Sequence, residues 1–250
     1  MNNIQTFSQS SDQYARHRPQ YPEELFSYLN EICSAHDSAW DCATGNGQAA
    51  VACAQYFTQV EATDRSAEQI QHGIAHSKVH YRVTPAEHTP FADSSFDLIT
   101  VAAAIHWFDL KEFFREADRL IKPNGILAIW GYAHFEIEPT IDQIIVKEFL
   151  EPIDQFWASG NRLVMNGYRD LAIPFKEIHN TPPFKIQVEW TLTQLSAYLR
   201  TWSAVKRFIS ELGADPVEGL ESKLEAVWGA PEIVRAVTMP LFFRASRKSE

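Results

Sequence analysis

The amino-acid sequence predicts a doubly wound α/β fold: a mostly parallel sheet with helices on both faces, an antiparallel last strand, and a helical cap. Three observations carry this expectation. Strand-like apolar runs alternate with helical segments as far as residue 131. Phe96 to Ala102 is an apolar run bounded by turn signals, as a strand covered on both faces requires. And Ala39-Trp40-Asp41-Cys42 runs into a turn of small residues, Ala43-Thr44-Gly45-Asn46-Gly47, that opens a helix.

In chain order, residues 1–22 are polar and end in the stiff Arg18-Pro19-Gln20-Tyr21-Pro22, leading to a helix at 23–31. The first strand is expected at 39–42, a helix at 47–57, the second strand at 60–63, and a polar helix at 66–74. Weak alternation gives a third strand at 79–83, and the fourth is 96–102. Leu110, Phe113, Phe114, Ala117, Leu120 and Ile121 recur at helical spacing until the breaker Lys122-Pro123-Asn124-Gly125. A fifth strand follows at 126–130.

Beyond residue 131 the alternation stops. Ile141, Ile144, Ile145 and Phe149 mark an amphipathic helix; 185–191 reads as a strand, 193–212 and 219–227 as helices, and 234–245 as the last strand. Seven strands result. The expected division is one domain: an N-terminal lid and helix at 1–35, a ligand-binding core at 36–131, a cap and substrate region with one strand at 132–233, and a final strand and tail at 234–250.

Composition bounds the partners. At 250 residues, 45% hydrophobic and 22% charged, the chain suits a globular protein with a large single core. A net charge of −10 argues against nucleic acid or an anionic membrane surface. No run reaches the length of a membrane span, so a cytoplasmic protein is expected. Cys33, Cys42 and Cys53 have no metal-type spacing and read as buried small residues. His72, His76 and His80 recur every four residues but straddle a helix end and a strand, so no metal is expected. Absence of G-x-S-x-G, H-E-x-x-H and G-x-x-x-x-G-K-[ST] removes the common hydrolase, zinc protease and P-loop functions.

Asp41 and Asp64 each close an expected strand with glycines between them, the pattern of one nucleoside ligand held at two points. The turn needs residues with little or no Cβ so that the backbone can bend tightly against the ligand, and Asp64 stands where a βαβ unit offers a carboxylate to ribose hydroxyls. Gly45-Asn46-Gly47-Gln48-Ala49-Ala50 also fits the loose dinucleotide fingerprint. Asp41 disfavours that choice, because a carboxylate would face the pyrophosphate. It suits a ligand with an ammonium group, such as S-adenosylmethionine.

On Asp41-Cys42-Ala43-Thr44-Gly45-Asn46-Gly47, Thr63-Asp64-Arg65-Ser66, the stretch Pro85-Ala86-Glu87-His88-Thr89-Pro90-Phe91 through Asp97, His106-Trp107-Phe108-Asp109, Leu120-Ile121-Lys122-Pro123-Asn124-Gly125 and Thr201-Trp202-Ser203-Ala204, the chain resembles the class I S-adenosylmethionine-dependent methyltransferases, type 11 group, which includes trans-aconitate methyltransferases. The resemblance covers nearly the whole chain. It implies a Rossmann-like methyltransferase with S-adenosylmethionine as donor and S-adenosylhomocysteine as product. It also implies that Asp64 binds ribose, that Arg65, Ala86 and Glu87 lie at the adenine end, and that residues around Ala103 pass beneath the methionine. Ala43 departs from the usual first glycine, and Pro85 from the acid many relatives carry.

Methyl transfer from a sulfonium is an in-line displacement, so the protein supplies alignment and a dry pocket. A carboxylate acceptor needs no base; a phenol, an alcohol or a carbon acid does. His106 is read either as a base or hydrogen-bond donor to the acceptor, or as a histidine fixed by packing beside Trp107. Trp107 and Trp202 are candidate pocket walls. Arg18 is a candidate clamp for a carboxylate of donor or substrate, and Tyr14 belongs to the same expected lid. Arg200 and Lys206 are read as candidate anchors for an acidic acceptor or as a solvated helix face. The expectation is methyl transfer (EC 2.1.1.-) to a small molecule, a carboxylate among the candidates, with an NAD(P)-dependent oxidoreductase or a non-catalytic S-adenosylmethionine-binding protein as alternatives. The sequence leaves the oligomeric state open.

Overall fold

The computed structural model describes residues 19–249. In order it runs α1 (Glu23–Ile32), β1 (Ser38–Cys42), α2 (Gln48–Cys53), β2 (Gln59–Asp64), α3 (Ala67–Gln71), β3 (Val79–Val83), β4 (Phe96–Ala102), a 3-10 turn (Ile105–Trp107), α4 (Leu110–Leu120) and β5 (Ile121–Gly131). Then come α5 (Pro139–Ile145), a π turn (Val146–Leu150) with short helical turns through Phe156, α6 (Asn161–Met165), β6 (Lys176–Ile178), β7 (Lys185–Trp190), α7 (Leu192–Arg200), α8 (Ser203–Leu212), α9 (Pro216–Trp228), β8 (Arg235–Pro240) and β9 (Phe242–Arg247). The described residues form two compact units: one of Gln20–Ala133, Leu163–Lys185 and residues 241–249, the other of Pro19, His134–Arg162 and Ile186–Pro240.

The first unit holds a seven-stranded sheet in the order β3-β2-β1-β4-β5-β9-β6. β1 to β5 are parallel, and β9 lies antiparallel between β5 and β6. This is the doubly wound, mostly parallel fold expected, with its antiparallel strand. Every residue of β1 is buried, as are six of the seven in β4, because helices cover both faces. Leu25, Phe26 and Leu29 of α1 join Ala49, Ala50 and Trp130 in one apolar cluster; Trp40, Phe113, Leu120 and Ile129 belong to another. Each buried Leu, Ile or Phe among them contributes roughly 1.5–3 kcal/mol. Asp97 ties the strand starts together: its carboxylate accepts the amides of Asp37 and Ser38, each at 3.0 Å, and the Lys122 ammonium at 2.8 Å.

The second unit contains the β7–β8 pair with α5 and α7 to α9. Its core includes Phe149, Leu195, Leu199, Leu220, Leu224 and Trp228. Among the described residues no helix is long and apolar enough to cross a membrane.

Several expected elements are corrected. The expected helices at 47–57 and 66–74 shorten to six and five residues. Lys122-Pro123-Asn124-Gly125 ends α4, yet it forms an irregular bulge inside β5: Ile121 pairs with Phe96 and the ladder resumes at Leu98 and Ile126. The helix expected at 193–212 breaks at Thr201-Trp202, where Trp202 is extended and its indole is drawn into an aromatic cluster. The strand expected at 234–245 is two strands in two sheets, divided where Pro240 lacks an N–H and the Leu241 amide turns to the Phe184 carbonyl. β6, the sheet's seventh strand, has no counterpart in the sequence reading.

Candidate functional site

The site forms where β1, β2 and β4 end. Ala43, Gly45, Gly47 and Ala103 all have left-handed backbone, with φ of 54°, 57°, 88° and 51°. The turn after β1 is anchored to β2 by the Thr44 amide on the Thr63 carbonyl at 2.8 Å, and closed by the Gly47 amide on the Thr44 carbonyl at 2.9 Å. Ala43 accepts the conformation usually left to glycine, and strand pairing on both sides of β1 holds it there. At Gly47 a Cβ would meet the Tyr81 hydroxyl at 2.0 Å, so any larger residue must displace that side chain as well as hold the left-handed backbone.

Asp64 braces the turn. One carboxylate oxygen accepts the Gly45 amide at 3.0 Å and the other the Ser66 amide at 2.9 Å. A carboxylate offers about four acceptor positions, so two remain for ligand hydroxyls. Burial raises its pKa, and the Ser66 and Gly45 amides and Arg65 oppose the rise. Arg65 itself is exposed.

Asp41 is buried at the end of β1, its oxygens accepting the hydroxyls of Thr44 at 2.5 Å and Thr100 at 2.7 Å. Burial pushes its pKa up to about 6 against the pull of those two hydrogen bonds. A carboxyl so placed gains most from a positive charge brought beside it. Trp40 ties β1 to β2 through its indole N–H on the Thr63 hydroxyl at 2.8 Å.

Ala86 is buried, and Glu87 accepts the Asp109 amide at 3.1 Å, which links the loop after β3 to the N-terminus of α4. His106 and Trp107 occupy the 3-10 turn after β4, ring centroids 4.6 Å apart. His106 Nδ1 lies 2.9 Å from the Tyr168 hydroxyl. Tyr168 escaped the sequence reading because it follows α6, far along the chain, and carries no motif.

Tyr14 and Arg18 lie outside the described residues. Trp202 belongs to the second unit, buried among Phe135, Phe149, Trp157 and Tyr198. Arg200 is committed to Asp215 at 2.7 Å and Glu221 at 2.9 Å, which corrects its reading as an anchor for an acidic acceptor. Cys33, Cys42 and Cys53 are buried free thiols.

A methyltransferase domain model matches residues 40–129. A protein of Dictyostelium discoideum named as a methyltransferase is 32% identical over 222 residues, covering 87% of this chain and 84% of that protein. An uncharacterized methyltransferase of Schizosaccharomyces pombe is 30% identical over 232 residues, covering 89% and 86%. Among solved structures, a protein from Anaeromyxobacter dehalogenans described as a type II methyltransferase superposes with a TM-score of 0.87 at 36% identity, over 93% of this chain and 99% of that one.

Proposed function

The chain belongs to the class I S-adenosylmethionine-dependent methyltransferases, and on that premise we propose that it methylates a small molecule held beside His106, with a carboxylate as the acceptor class. One observation carries the donor site: Asp64 spends one lone pair of each oxygen on the amides of Gly45 and Ser66 and keeps the others beside a left-handed turn. That geometry fits a ribose with adjacent hydroxyls. Asp41, buried and short of positive charge, fits the ammonium of the same ligand. Thr44, Gly45 and Gly47 carry the backbone past the methionine portion, with Ala103 beneath it, and Ala86, Glu87 and Arg65 line the adenine end.

When bound, S-adenosylmethionine supplies a methyl group activated by its sulfonium. The residues of the chain align and exclude water. Asp41 and Asp64 fix the donor at two points, which sets the direction of its methyl group. His106 follows β4 at the carboxyl ends of the parallel strands, where open α/β sheets hold their ligands. It orients the acceptor there by hydrogen bonding, with Trp107 as an apolar wall.

The oxidoreductase alternative is not favoured, since the relatives above are named methyltransferases. The test is titration calorimetry with S-adenosylhomocysteine and with NADH, followed by labelled donor offered with a panel of small carboxylic acids and phenols. Binding of the first ligand alone and label transfer to an acid support the reading. Binding of NADH alone, or label reaching no acid, overturns it.

A further inference from the structure

We infer that Tyr168 is a positioning residue that holds His106 as its Nε2–H tautomer, so that His106 offers the acceptor a hydrogen-bond donor rather than a base; this rests on the place given to His106 above. The Tyr168 side chain is fully buried, and among the described residues its hydroxyl has one hydrogen-bonding partner, His106 Nδ1 at 2.9 Å. The hydroxyl is held there by design of the backbone. Tyr168 has left-handed φ of 57°, directly after Gly167 at 61°, a conformation side-chain-bearing residues avoid unless their surroundings impose it.

Those surroundings belong to the main sheet. The Tyr168 amide donates to the Leu163 carbonyl at 2.9 Å. Arg244 of β9 donates through Nη1 to the carbonyls of Tyr168 at 2.8 Å and Leu171 at 2.6 Å, and through Nε to Glu177 of β6 at 2.8 Å. The Phe242 ring meets the tyrosine edge-on at 4.9 Å. Next to both rings is Gly131, where a Cβ would strike Phe242 at 2.7 Å.

The direction of the hydrogen bond follows from counting donors. If Tyr168 O–H donates to Nδ1, the phenol proton is satisfied and the imidazole proton sits on Nε2. If Nδ1–H donates instead, the phenol proton is left without a partner in a dry setting, which disfavours that tautomer by on the order of tenfold or more. Burial also raises the pKa of Tyr168, so the hydroxyl keeps its proton. With Nδ1 engaged, Nε2–H is the group through which His106 addresses the acceptor.

The chemistry of the acceptor follows. A carboxylate accepts the Nε2–H hydrogen bond on one oxygen; a carboxylate oxygen forms the new bond to the methyl carbon while the carbon–sulfur bond breaks, its electron pair stays on sulfur, and no proton moves. A phenol or alcohol must lose a proton, and Nε2–H has no lone pair to receive it.

The test is long-range proton–nitrogen correlation spectroscopy on full-length protein labelled with nitrogen-15 histidine, with His106→Gln to assign the signals. Wild-type protein is expected to show His106 Nε2 as a protonated, pyrrole-type nitrogen and Nδ1 as a pyridine-type one. Tyr168→Phe, which removes only the hydroxyl, is expected to move both toward the averaged shifts of an exchanging imidazole while S-adenosylhomocysteine binding persists. A wild-type proton on Nδ1 overturns the inference, as do shifts unchanged by Tyr168→Phe. Loss of S-adenosylhomocysteine binding in wild-type protein would instead overturn the donor site itself.

Discussion

Asp41 is the more deeply buried of the two carboxylates proposed to hold the donor. Its carboxyl is fully buried, and its pKa is raised to about 6 although two hydroxyls donate to it. Proximity of the ligand ammonium would favour the charged form, so binding must compete with protonation as the pH falls below 6. S-adenosylhomocysteine is therefore expected to bind about tenfold more weakly at pH 5 than at pH 7.5, in line with one proton that Asp41 must release on binding. Asp41→Asn should bind weakly at both, and calorimetry at the two values decides. The effect on folding has the opposite sense. A carboxyl with a raised pKa is held more tightly as the acid in the fold, so its stabilising contribution is full below about 4 and is lost as the pH rises through 6, roughly 2–3 kcal/mol for a shift of this size. Asp41→Asn should flatten that decline in urea titrations at pH 5 and pH 8. At the turn, Gly45→Ala and Gly47→Ala both meet left-handed strain of roughly 1–2 kcal/mol. Only the second also meets Tyr81, at 2.0 Å from the hydroxyl and 2.8 Å from the ring. Gly47→Ala should thus lose more stability, and Tyr81→Phe, which removes the nearer atom, should restore part of it.

Between residues and molecule, the loop after β3 carries Ala86 and Glu87, the residues proposed to line the adenine end, and α4 clasps it. Glu116 accepts the Thr89 amide at 2.8 Å and its hydroxyl at 2.7 Å, while Arg119 donates to the Phe91 carbonyl at 2.7 Å and pairs with Glu116 and Asp93. Burial works against the Glu116 charge, yet the Arg119 and Thr89 hydrogen bonds hold its pKa below the ordinary value. Its stabilising effect is therefore present above the ordinary value of 4.5 and is lost as the pH falls through the lowered one. Glu116→Ala removes the acceptor of Thr89 and one of the acceptors of Arg119, and should cost roughly 1–3 kcal/mol and raise amide exchange through residues 84–93. The clasp was not visible in sequence, where Glu116 and Arg119 are two polar positions on an amphipathic helix. What was visible has a local cause. β3, β4 and α4 fall at or within a residue of where periodicity put them, because covering both faces of a strand or one face of a helix writes a repeat into the chain. Where partners decide, the pattern fails: β8 and β9 form one alternating run divided by Pro240, and only the pairing of β9 with β5 and of β8 with β7 separates them.

Over the whole molecule, the residues proposed to hold the donor are legible as short motifs at strand ends: Asp41 and Asp64 close β1 and β2, with the left-handed turn of Gly45 and Gly47 between them. The proposed acceptor side is less so. His106 is read from its place after β4, but Tyr168, whose hydroxyl lies 2.9 Å from His106 Nδ1, is held through Arg244 of β9 and carries no local signal. Arg200 carried charge, yet it is committed to ion pairs of the second unit, where Trp202 packs in an aromatic cluster. Ligand linkage reads the whole fold: S-adenosylhomocysteine at a hundred times its Kd should stabilise the protein by about 2.7 kcal/mol, a rise in Tm of several degrees, and NADH should give none. The same donor site can be seen directly in a crystal of the protein grown with S-adenosylhomocysteine. The ribose hydroxyls should lie within hydrogen-bonding distance of the Asp64 carboxylate, with the amino group beside Asp41; density for the ribose away from Asp64, or a pyrophosphate-binding ligand preferred in that turn, would contradict it.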